Sequence, residues 1–381
     1  MKKGCGLVEE NVRIGLIGFG SMGRIYAQMI GAGMIRNMKL TGVCCRNPEG
    51  KQLLGEKFLG VAVYEDADDM AAHQDEFDAV LIATPHTSHI PIGIRFAKLG
   101  KHILMDKPAG IVAGEVEGLA RYCDERHLAF SMIFHNRQIP AFKTLKEKLD
   151  SGILGTLHRA VWICNDWYRS PAYHRSAGWR SSWAGECGGM MVNQNPHYLD
   201  IWNWLFGLPD QVYASMEFGR YNDFLVDDAI DLQLYYDTGF HGTFVSATGE
   251  APGINRLEIW GTKGRLTLES NRITFAENEM DTETFRRENK VPFGRIPFAI
   301  REEELEGPGN PYAAVLQNFA DHICSGIPLF TTGWDGFREV QLVNAVYVSG
   351  WSEKKVRVPV KDAEFVDGLV IRQEMEHNRL K

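Results

Sequence analysis

Residues 12–23 read Val12-Arg13-Ile14-Gly15-Leu16-Ile17-Gly18-Phe19-Gly20-Ser21-Met22-Gly23. Residues 12–18 form a short, β-branched apolar run, which predicts a buried strand. Residues 21–34 predict a helix that begins directly after this strand. The three glycines at the junction have the spacing G-x-G-x-x-G, which is typical of a dinucleotide-binding turn when it lies between a strand and a helix.

The glycines of this turn are required for separate physical reasons. Gly18 makes the tight turn, Gly20 lets the backbone approach a pyrophosphate, and Gly23 lets helix and strand pack closely. Free N–H groups and a partial positive charge at the helix start attract phosphates. The same spacing occurs in Gly-rich turns of unrelated α/β proteins, but its setting here favours NAD(H) or NADP(H) as the cofactor. The predicted cofactor contacts in the turn are Gly18, Phe19, Gly20, Ser21, Met22 and Gly23.

Strand-like runs alternate with helices over the first third of the chain. Further strands are predicted at residues 40–45, 79–83, His102–Met105 and 128–134. This alternation predicts an α/β fold with a doubly wound parallel sheet, and hence a Rossmann dinucleotide-binding domain over residues 1–136.

The pattern changes after about residue 136. Aromatic-rich runs separated by turns indicate a mostly antiparallel sheet in an α+β domain over residues 137–381. Residues 277–309 are polar and contain several prolines and glycines, so we interpret them as a long excursion. Helices at Pro311–Ser325 and 335–352 are expected to pack back near the Rossmann domain. The remaining predictions are a helix at Pro140–Asp150 and strands at 156–164, 212–218, 229–236, 242–246, 255–260 and 265–269.

The bulk composition excludes several classes of protein. The 381 residues are too many for one ordinary core, and 44% hydrophobic with 24% charged residues is typical of a globular protein. A net charge of -8 gives no electrostatic reason to bind nucleic acid or an anionic membrane. No run approaches the roughly 18 apolar residues of a membrane span. No signal peptide is expected at the N-terminus.

The cysteines are odd in number and scattered along the chain. In a protein of this size such a pattern predicts reduced thiols and a cytoplasmic location. Two of them are adjacent in a strand-like run and suit packing better than a disulfide. The seven are Cys5, Cys44, Cys45, Cys123, Cys164, Cys187 and Cys324.

The end of the second predicted strand leaves the choice between NAD and NADP open. An acidic residue is expected there for NAD, because a carboxylate accepts a hydrogen bond from the ribose 2′-hydroxyl. The chain has Cys45 and Arg46 at this place and no acid. A guanidinium can pair with a 2′-phosphate or stack on adenine, which favours NADP. An ordinary solvated role for Arg46 is the alternative.

Two further runs carry groups suited to catalysis. Asp106-Lys107-Pro108 ends the fourth parallel strand, where ligands of such sheets bind, and a cis bond before Pro108 is one option. Alone, Lys107 would be interpreted as a surface lysine beside an aspartate. In the second run, residues 187–200, Pro196 suits the first turn of a helix with Asn195 as its cap.

His197 then lies at the start of that helix, and Asn193 can supply an amide to the same pocket. A lone histidine is more often a structural residue than a catalyst. The case for His197 therefore depends on the other motifs.

Taken together, these motifs resemble those of the Gfo/Idh/MocA oxidoreductase family, which includes glucose–fructose oxidoreductase and inositol dehydrogenase. The shared features are the turn at 18–23, Asp-Lys-Pro at 106–108 and Gly-Gly…Asn…His…Asp at 188–200. Asn136-Arg137 resembles the junction into the second domain, and Asp335-Gly336 with residues 356–359 resembles the C-terminal end. Residues 84–89 resemble a Thr-Pro-x-x-x-His run at the nicotinamide side. The resemblance thus adds Thr84, Pro85, His86, His89, Asp106 and Lys107 to the expected cofactor contacts.

The resemblance implies a fold, an assembly and two roles. The second domain should contain a large open antiparallel sheet, whose outer face usually forms homodimers or homotetramers. Lys107 should lie near the reacting hydroxyl, and His197 should act as general acid/base. The chain departs from the family pattern in two places: Asp106 stands for the usual Glu, and Asn193 for the usual Asp four residues before the histidine. An amide cannot take a proton, so His197 would carry the proton with Lys107.

The substrate is expected to be a sugar, a glycoside or a polyol. Aromatic residues interleaved with hydrogen-bonding residues over 166–183 suit a sugar, although each aromatic could instead pack an interdomain or oligomer contact. The lead-in Trp-Ala-Gly-Glu at 183–186 and Asn-Gln-x-x-His at 193–197 resemble family members that oxidise glycosides at C3. The expected substrate-binding residues are Lys107, Tyr168, Tyr173, His174, Trp179, Arg180, Asn193 and His197.

Three alternatives stay open at this point. An inositol 2-dehydrogenase is the second enzymatic hypothesis, and a non-catalytic dinucleotide-binding sugar sensor or co-regulator is the hypothesis from another class. The cofactor could also stay bound and be recycled within the site. A metal site at His86 and His89 is not expected, because no third ligand lies nearby and the reaction needs no metal.

Overall fold

The computed structural model describes residues 11–379 and residue 381. The expectations of no signal peptide and a reduced Cys5 fall on residues 1–10 and lie outside the described residues. The chain forms two compact units. The first comprises the residues up to Gly110, Gly114–His135 and Asn310–Phe337, and the second comprises Ile111–Ala113, Asn136–Gly309 and the residues from Arg338 onward. Residues 310–337, which the sequence assigned to the second domain, thus belong to the first unit.

The first unit contains a six-stranded parallel sheet in the order β3-β2-β1-β4-β5-β6. This confirms the predicted doubly wound sheet. A short strand at Ala62–Tyr64 and the helices at Pro48–Lys57, Ala67–Ala72 and Ala113–Glu125 were not predicted. The strands are β1 (Val12–Ile17), β2 (Met38–Cys44), β3 (Ala62–Tyr64), β4 (Ala79–Ile82), β5 (His102–Met105) and β6 (Phe130–Met132). The first helices are α1 (Ser21–Gly31), α2 (Pro48–Lys57), α3 (Ala67–Ala72), α4 (His89–Lys98) and α5 (Ala113–Glu125).

The second unit contains a nine-stranded sheet in the order β14-β13-β12-β11-β7-β10-β9-β8-β15. All neighbours are antiparallel except β7 and β10, which run parallel, so the predicted mostly antiparallel sheet is confirmed. Its strands are β7 (Leu157–Cys164), β8 (Gln211–Phe218), β9 (Asp227–Tyr235), β10 (His241–Ala247), β11 (Asn255–Gly261), β12 (Gly264–Glu269), β13 (Arg272–Asn278), β14 (Phe298–Glu304) and β15 (Val356–Arg357).

The remaining helices complete the two units. They are α6 (Pro140–Asp150), α7 (Pro171–His174), α8 (Met190–Asn193), α9 (Pro196–Phe206), α10 (Thr282–Glu288), α11 (Pro311–Ser325), α12 (Gly333–Ser352) and α13 (Asp362–Arg379). Helix α11 buries Val315, Leu316 and Phe319 in the same core as the parallel strands, which explains why it belongs to the first unit. No helix within the described ranges has the length and apolar character needed to cross a membrane.

The interpretation of residues 277–309 as a long excursion is wrong. Helix α10 lies within this segment, and strand β14 pairs with β13 in register, with Phe275 opposite Arg301. All seven residues of β14 are exposed, so the strand carries no apolar alternation by which it could be predicted. Cross-strand ion pairs accompany the pairing, including Arg301 Nη2 to Glu277 Oε2 at 2.6 Å. Helix α13 was missed for a similar reason, because only three of its residues are buried.

A buried ion pair fixes the helix that carries His197. The guanidinium of Arg137 donates from Nε to Asp200 Oδ2 at 2.8 Å and from Nη2 to Oδ1 at 2.5 Å. The two side chains are 7% and 1% exposed, so the pair is desolvated as well as bidentate. It connects the beginning of the second unit's long segment to helix α9.

We expect Asp200→Ala to lower the free energy of unfolding by about 3–5 kcal/mol, because it leaves a buried guanidinium without its counter-ion. The matched control is Glu117→Ala, which removes the partner of Arg121 in an exposed pair and should cost no more than about 1 kcal/mol. Denaturant unfolding measures both. Equal losses in the two variants would show that burial of the Arg137–Asp200 pair does not matter.

Candidate active site

The Gly-rich turn connects β1 to α1 in the first unit. Strands β1 and β4 are neighbours at the place where the strand order reverses, which is where doubly wound sheets bind ligands. Gly18 has φ +101°, and a Cβ there would lie 2.5 Å from the carbonyl oxygen of Ala83, just after β4. Gly18 therefore lets the loops after the two strands touch.

The other two glycines differ in what surrounds them. A Cβ on Gly20 would meet nothing within 4 Å, whereas a Cβ on Gly23 would lie 1.9 Å from the carbonyl oxygen of Gly18. Gly23 is thus required by the turn itself, and Gly20 leaves open space in front of the helix. Among the described residues, no side chain caps α1 and its first turn, which includes Ser21 and Met22, holds no acid. The helix start therefore offers uncapped N–H groups to a phosphate.

Cys45 and Arg46 follow directly after β2. Cys45 is 4% exposed, with its sulfur 3.5 Å from the carbonyl oxygen of Asn47, so its side chain packs inside the unit. Arg46 is exposed. Asn47 caps helix α2 by accepting from the N–H of Glu49. Phe19 is buried against Phe58, with ring centroids 6.2 Å apart.

The Thr-Pro-x-x-x-His run forms the loop after β4. Its His86 is buried, and the ring centroid of His89 lies 6.1 Å from that of His86. Both ring nitrogens of His89 contact backbone carbonyl oxygens at 2.8 Å, namely those of Thr84 and Pro108. His89 therefore joins the loops after β4 and β5, and its ring nitrogens are engaged inside the protein. Pro85 precedes the short helical turn at residues 86–88.

Asp106, Lys107 and Pro108 follow β5. The Lys107–Pro108 bond is cis, as the sequence allowed. Asp106 is buried, and its Oδ1 accepts from the N–H of Lys107 at 2.8 Å. Burial raises the pKa of Asp106, and the positive charge of Lys107 opposes this shift.

Residues that the sequence did not single out lie around Lys107 in the first unit. His135 stacks on Tyr312 at a centroid distance of 3.8 Å. Burial, with a smaller contribution from the charge of Lys107, lowers the pKa of His135 to about 3. Burial, with a smaller contribution from Asp106, raises the pKa of Tyr26 and brings that of Tyr312 to about 12. The charge of Lys107 thus acts on both the carboxyl group of Asp106 and the imidazole of His135.

The second unit holds the Gly-Gly…Asn…His run against a buried carboxylate. Asp227 accepts from the N–H groups of Gly189 and Met191 at 2.8 and 2.7 Å and from the Tyr347 hydroxyl at 2.6 Å. A Cβ on Gly188 would lie 2.1 Å from that hydroxyl, and one on Gly189 would lie 2.2 Å from the Asp227 carbonyl oxygen. Only glycines allow the backbone to approach this closely.

Helix α9 begins at Pro196 as predicted, but the predicted role of Asn195 is wrong. Its side chain makes no capping hydrogen bond. It accepts instead from Ser246 Oγ at 3.0 Å and donates to Met191 Sδ at 3.1 Å, because it points into the core rather than along the helix axis. His197 is the second residue of α9 and Asn193 the last of α8, and both are half-buried.

The aromatic run at 166–183 is connected to the helix starts by hydrogen bonds. The hydroxyl of Tyr173 accepts from Arg180 Nη1 at 2.9 Å and from Gln194 Nε2 at 3.1 Å. The guanidinium of Arg180 lies 4.6 Å from the ring centroid of Trp179. His174 Nδ1 lies 2.6 Å from Ser181 Oγ. The ring centroids of Tyr173 and His174 lie 5.3 Å apart, so four of the five substrate candidates within this run belong to one connected group.

Tyr168 does not join this group in the part of the chain that the structure describes. Its side chain is 54% exposed. Trp183, which belongs to the same run, packs in the core with Tyr347 and Trp351 and donates to the carbonyl oxygen of Leu225 at 2.8 Å. Trp183 is thus part of the core of the second unit.

Glu186 is a buried residue for which no role was predicted from the sequence. Its carboxylate is 2% exposed and accepts from the N–H of Ser181 at 2.6 Å and from the side-chain amide of Asn193. The only sequence signal was its place in the Trp-Ala-Gly-Glu run. No group of three or more metal-ligating side chains occurs among the residues placed by the structure.

Two family models match the chain. The model described as "Oxidoreductase family, NAD-binding Rossmann fold" matches residues 12–134, and the "GFO/IDH/MocA C-terminal domain" model matches residues 142–267. Together they cover more than half of the chain. The first unit therefore contains an NAD-binding Rossmann domain.

Three curated relatives match about half of this chain or more. Myo-inositol 2-dehydrogenase of Thermotoga maritima is 25% identical over 85% of this chain and 92% of that protein. Levoglucosan dehydrogenase of Pseudarthrobacter phenanthrenivorans is 24% identical over 92% of this chain and 99% of that protein. The rhizopine catabolism protein MocA of Rhizobium meliloti is 28% identical over 51% of this chain, and this match spans 57% of its length.

Solved structures share the fold. The WlbA dehydrogenase of Bordetella pertussis, in complex with NADH and UDP-GlcNAcA, superposes with a TM-score of 0.75 at 23% identity, over 92% of this chain and all of that chain. A levoglucosan dehydrogenase with NADH and levoglucosan has a TM-score of 0.75 at 20% identity, over 92% of this chain and 100% of that chain.

Substitution of Gly20 and substitution of Gly23 should affect different properties, namely NAD affinity and stability. We expect Gly20→Ala to fold normally but to bind NAD at least about tenfold more weakly, because the new methyl enters the space that the pyrophosphate needs. Gly23→Ala should lower the free energy of unfolding by about 1–3 kcal/mol, because its Cβ meets the Gly18 carbonyl. Calorimetric NAD titration and denaturant unfolding separate the two effects.

The matched control is Gly118→Ala, an open position on helix α5. It should leave NAD affinity unchanged and be neutral or stabilising by up to about 1 kcal/mol. Full NAD affinity in Gly20→Ala would show that the phosphates do not approach the turn at this residue.

Proposed function

The chain belongs to the GFO/IDH/MocA oxidoreductase family, and from that premise we propose that it moves a hydride between NAD(P) and a secondary alcohol of a sugar, glycoside or polyol. The observation that carries the proposal is the combination, in one unit, of an uncapped helix start at the Gly-rich turn with Lys107 held after β5. The open space at Gly20 fits a dinucleotide. A bound nicotinamide supplies or accepts the hydride.

Lys107 provides the positive charge that an alkoxide needs as it develops. Its backbone N–H is anchored on the buried Asp106, so the residue starts from a fixed point. The neutral His135 adds no competing positive charge nearby. An ammonium beside the developing alkoxide lowers the energy of the charged transition state.

His197 is proposed to transfer the hydroxyl proton. Histidine titrates near neutrality, and the residue is held on a helix anchored by the Arg137–Asp200 pair. Asn193 is an amide and takes no proton, so it is proposed to orient the substrate through hydrogen bonds. The proton therefore passes through His197 without a second acid in this position.

The leading substrate class is a glucoside oxidised at C3. The connected group of Tyr173, His174, Trp179 and Arg180 offers aromatic faces and hydroxyl partners of the kind that sugars require. The relative named levoglucosan dehydrogenase supports a sugar. An inositol is the second candidate, supported by the relatives named inositol 2-dehydrogenase.

Arg46 is the residue that we expect to influence the preference for NAD or NADP. It is exposed and follows β2 directly, and no acidic residue adjoins Cys45 in the sequence. We propose that it contacts the adenosine ribose or its 2′-phosphate, so that NADP is accepted as well as NAD.

Two further properties are proposed. The outer face of the nine-stranded sheet is proposed to form a homodimer or homotetramer, in keeping with the exposed Phe298 and Ile300 on its edge strand. The six described cysteines form no disulfide, which fits a reducing compartment such as the cytoplasm.

A direct assay tests the function. Purified protein is incubated with methyl glucosides or inositols and each dinucleotide while reduced-nicotinamide absorbance is followed; a glucoside-dependent rise is expected. A keto-sugar acceptor is added in parallel, since a retained cofactor would be recycled without a net change. Tight dinucleotide binding with no turnover of any sugar or polyol would favour the sensor hypothesis instead.

We expect Lys107→Ala and His197→Ala each to lower turnover by roughly 10²–10⁴-fold, because each removes a charge or proton carrier from the transition state. Dinucleotide affinity should change little. Lys98→Ala and His158→Ala remove an exposed lysine and histidine from the same two units and should keep full activity. Near-normal turnover in either test variant would rule out the role assigned to that residue.

A further inference from the structure

Glu186 is a buried carboxylate with two defined contacts in the second unit. Its Oε2 accepts from the backbone N–H of Ser181 at 2.6 Å, and its Oε1 accepts from Nδ2 of Asn193. The residue is 2% exposed. A carboxylate so enclosed is retained only where its hydrogen-bond partners compensate for the loss of water.

The loop that carries Glu186 is itself held by hydrogen bonds to helix α13. Glu376 on helix α13 accepts from the N–H groups of Trp183 and Ala184 at 2.9 and 2.8 Å. The N–H of Glu186 donates to the carbonyl oxygen of Ser182 at 3.0 Å. The carboxylate of Glu186 is therefore held in place before any ligand arrives.

This contact determines which way the Asn193 side chain points. A carboxylate can only accept hydrogen bonds, so the NH₂ end of the carboxamide must face Glu186. The oxygen of Asn193 then lies at the opposite end, where it can only accept. Donation to a charged acceptor also polarises the amide and makes its oxygen a better acceptor.

We propose that Glu186 is a positioning residue, which orients Asn193 so that its carboxamide oxygen accepts a hydrogen bond from a substrate hydroxyl. Position 193 normally holds an aspartate in the family pattern. The pair keeps the accepting oxygen at position 193 and transfers the negative charge to residue 186. This inference rests on the proposed function, because it names a substrate hydroxyl as the donor.

The pair also connects two parts of the candidate substrate site. The backbone N–H of Ser181 donates to Glu186, and the hydroxyl oxygen of Ser181 lies 2.6 Å from His174 Nδ1. Gln194, the residue after Asn193, donates to Tyr173. The carboxylate of Glu186 thus fixes both the helix end and the loop that carries the aromatic side chains.

The test exchanges the two functional groups. In Glu186→Gln, one acceptor is lost and the carboxamide of Asn193 is released, so kcat/KM should fall by about 10²-fold, the effect of misplacing a reacting group by about 1 Å. In Asn193→Asp, two carboxylates face each other and kcat/KM should also fall at neutral pH. In the double variant an amide and a carboxylate face each other again, and kcat/KM should exceed that of both single variants by at least about tenfold, a difference of ~1.4 kcal/mol in transition-state stabilisation.

The pH profile separates positioning from general structural support. Two facing carboxylates raise the pKa of one of them, since both cannot ionise easily. The kcat/KM of Asn193→Asp relative to wild type should therefore rise as the pH falls, because one protonated carboxyl can donate as the amide did. The double variant should lose this dependence. A general loss of packing would lower activity equally at every pH.

The matched control is Glu250→Gln. Glu250 also accepts from an asparagine amide, that of Asn165, and from the Tyr221 hydroxyl at 3.1 Å. This variant removes a comparable contact in the same unit and should keep wild-type kcat/KM. Wild-type activity in Glu186→Gln, or no recovery in the double variant, would overturn the proposal.

If the wild type turns over no alcohol, the proposed function is refuted, but a second measurement still tests the orientation of Asn193. The side-chain amide resonance of Asn193 is assigned by its loss in Asn193→Asp and observed by ¹⁵N-edited NMR. A strongly downfield NH₂ proton that moves upfield in Glu186→Gln would support the orientation. An unchanged resonance would refute it.

Discussion

Burying a carboxylate without hydrogen-bond or ion-pair partners costs several kcal/mol of folding free energy. In the candidate site of the second unit, such partners compensate for this cost. Three buried carboxylates there accept hydrogen bonds from groups in a different part of the chain, and each contact fixes a segment that carries or adjoins functional side chains. Asp227 anchors the start of α8, Asp200 anchors α9, and Glu376 anchors the loop that leads to Glu186. The positions of Asn193 and His197 follow from these anchors.

The first unit depends on a different constraint, which is how closely backbone can approach backbone. Gly18 lets the loops after β1 and β4 touch, and Gly23 leaves room for the Gly18 carbonyl. Gly20 differs because its missing side chain leaves space for a ligand. The same type of residue thus supports the fold at two positions and binding at a third. His89 joins the loops after β4 and β5, so that the residues around Lys107 rest on a fixed base.

Much of this could be predicted from periodicity and short motifs. The parallel strands are buried apolar runs, and strands and helices such as His102–Met105, Pro140–Asp150 and Pro311–Ser325 were predicted with the bounds observed. Strand β14 and helix α13 were missed because they bury few side chains, and burial is what produces a periodic pattern. Asn195 was expected to cap α9, yet its side chain bonds within the core, because Ser246 lies within reach.

The sequence by itself determined the dinucleotide turn, the parallel sheet and the family, since these depend on local spacing and on glycine. Only the tertiary structure decided which buried groups meet. The contacts of Glu186 with Asn193, of His135 with Tyr312 and of Arg137 with Asp200 join residues that no local pattern relates. The reason is physical: a hydrogen bond or an ion pair depends on distance in space, and distance in space is set by packing rather than by order along the chain.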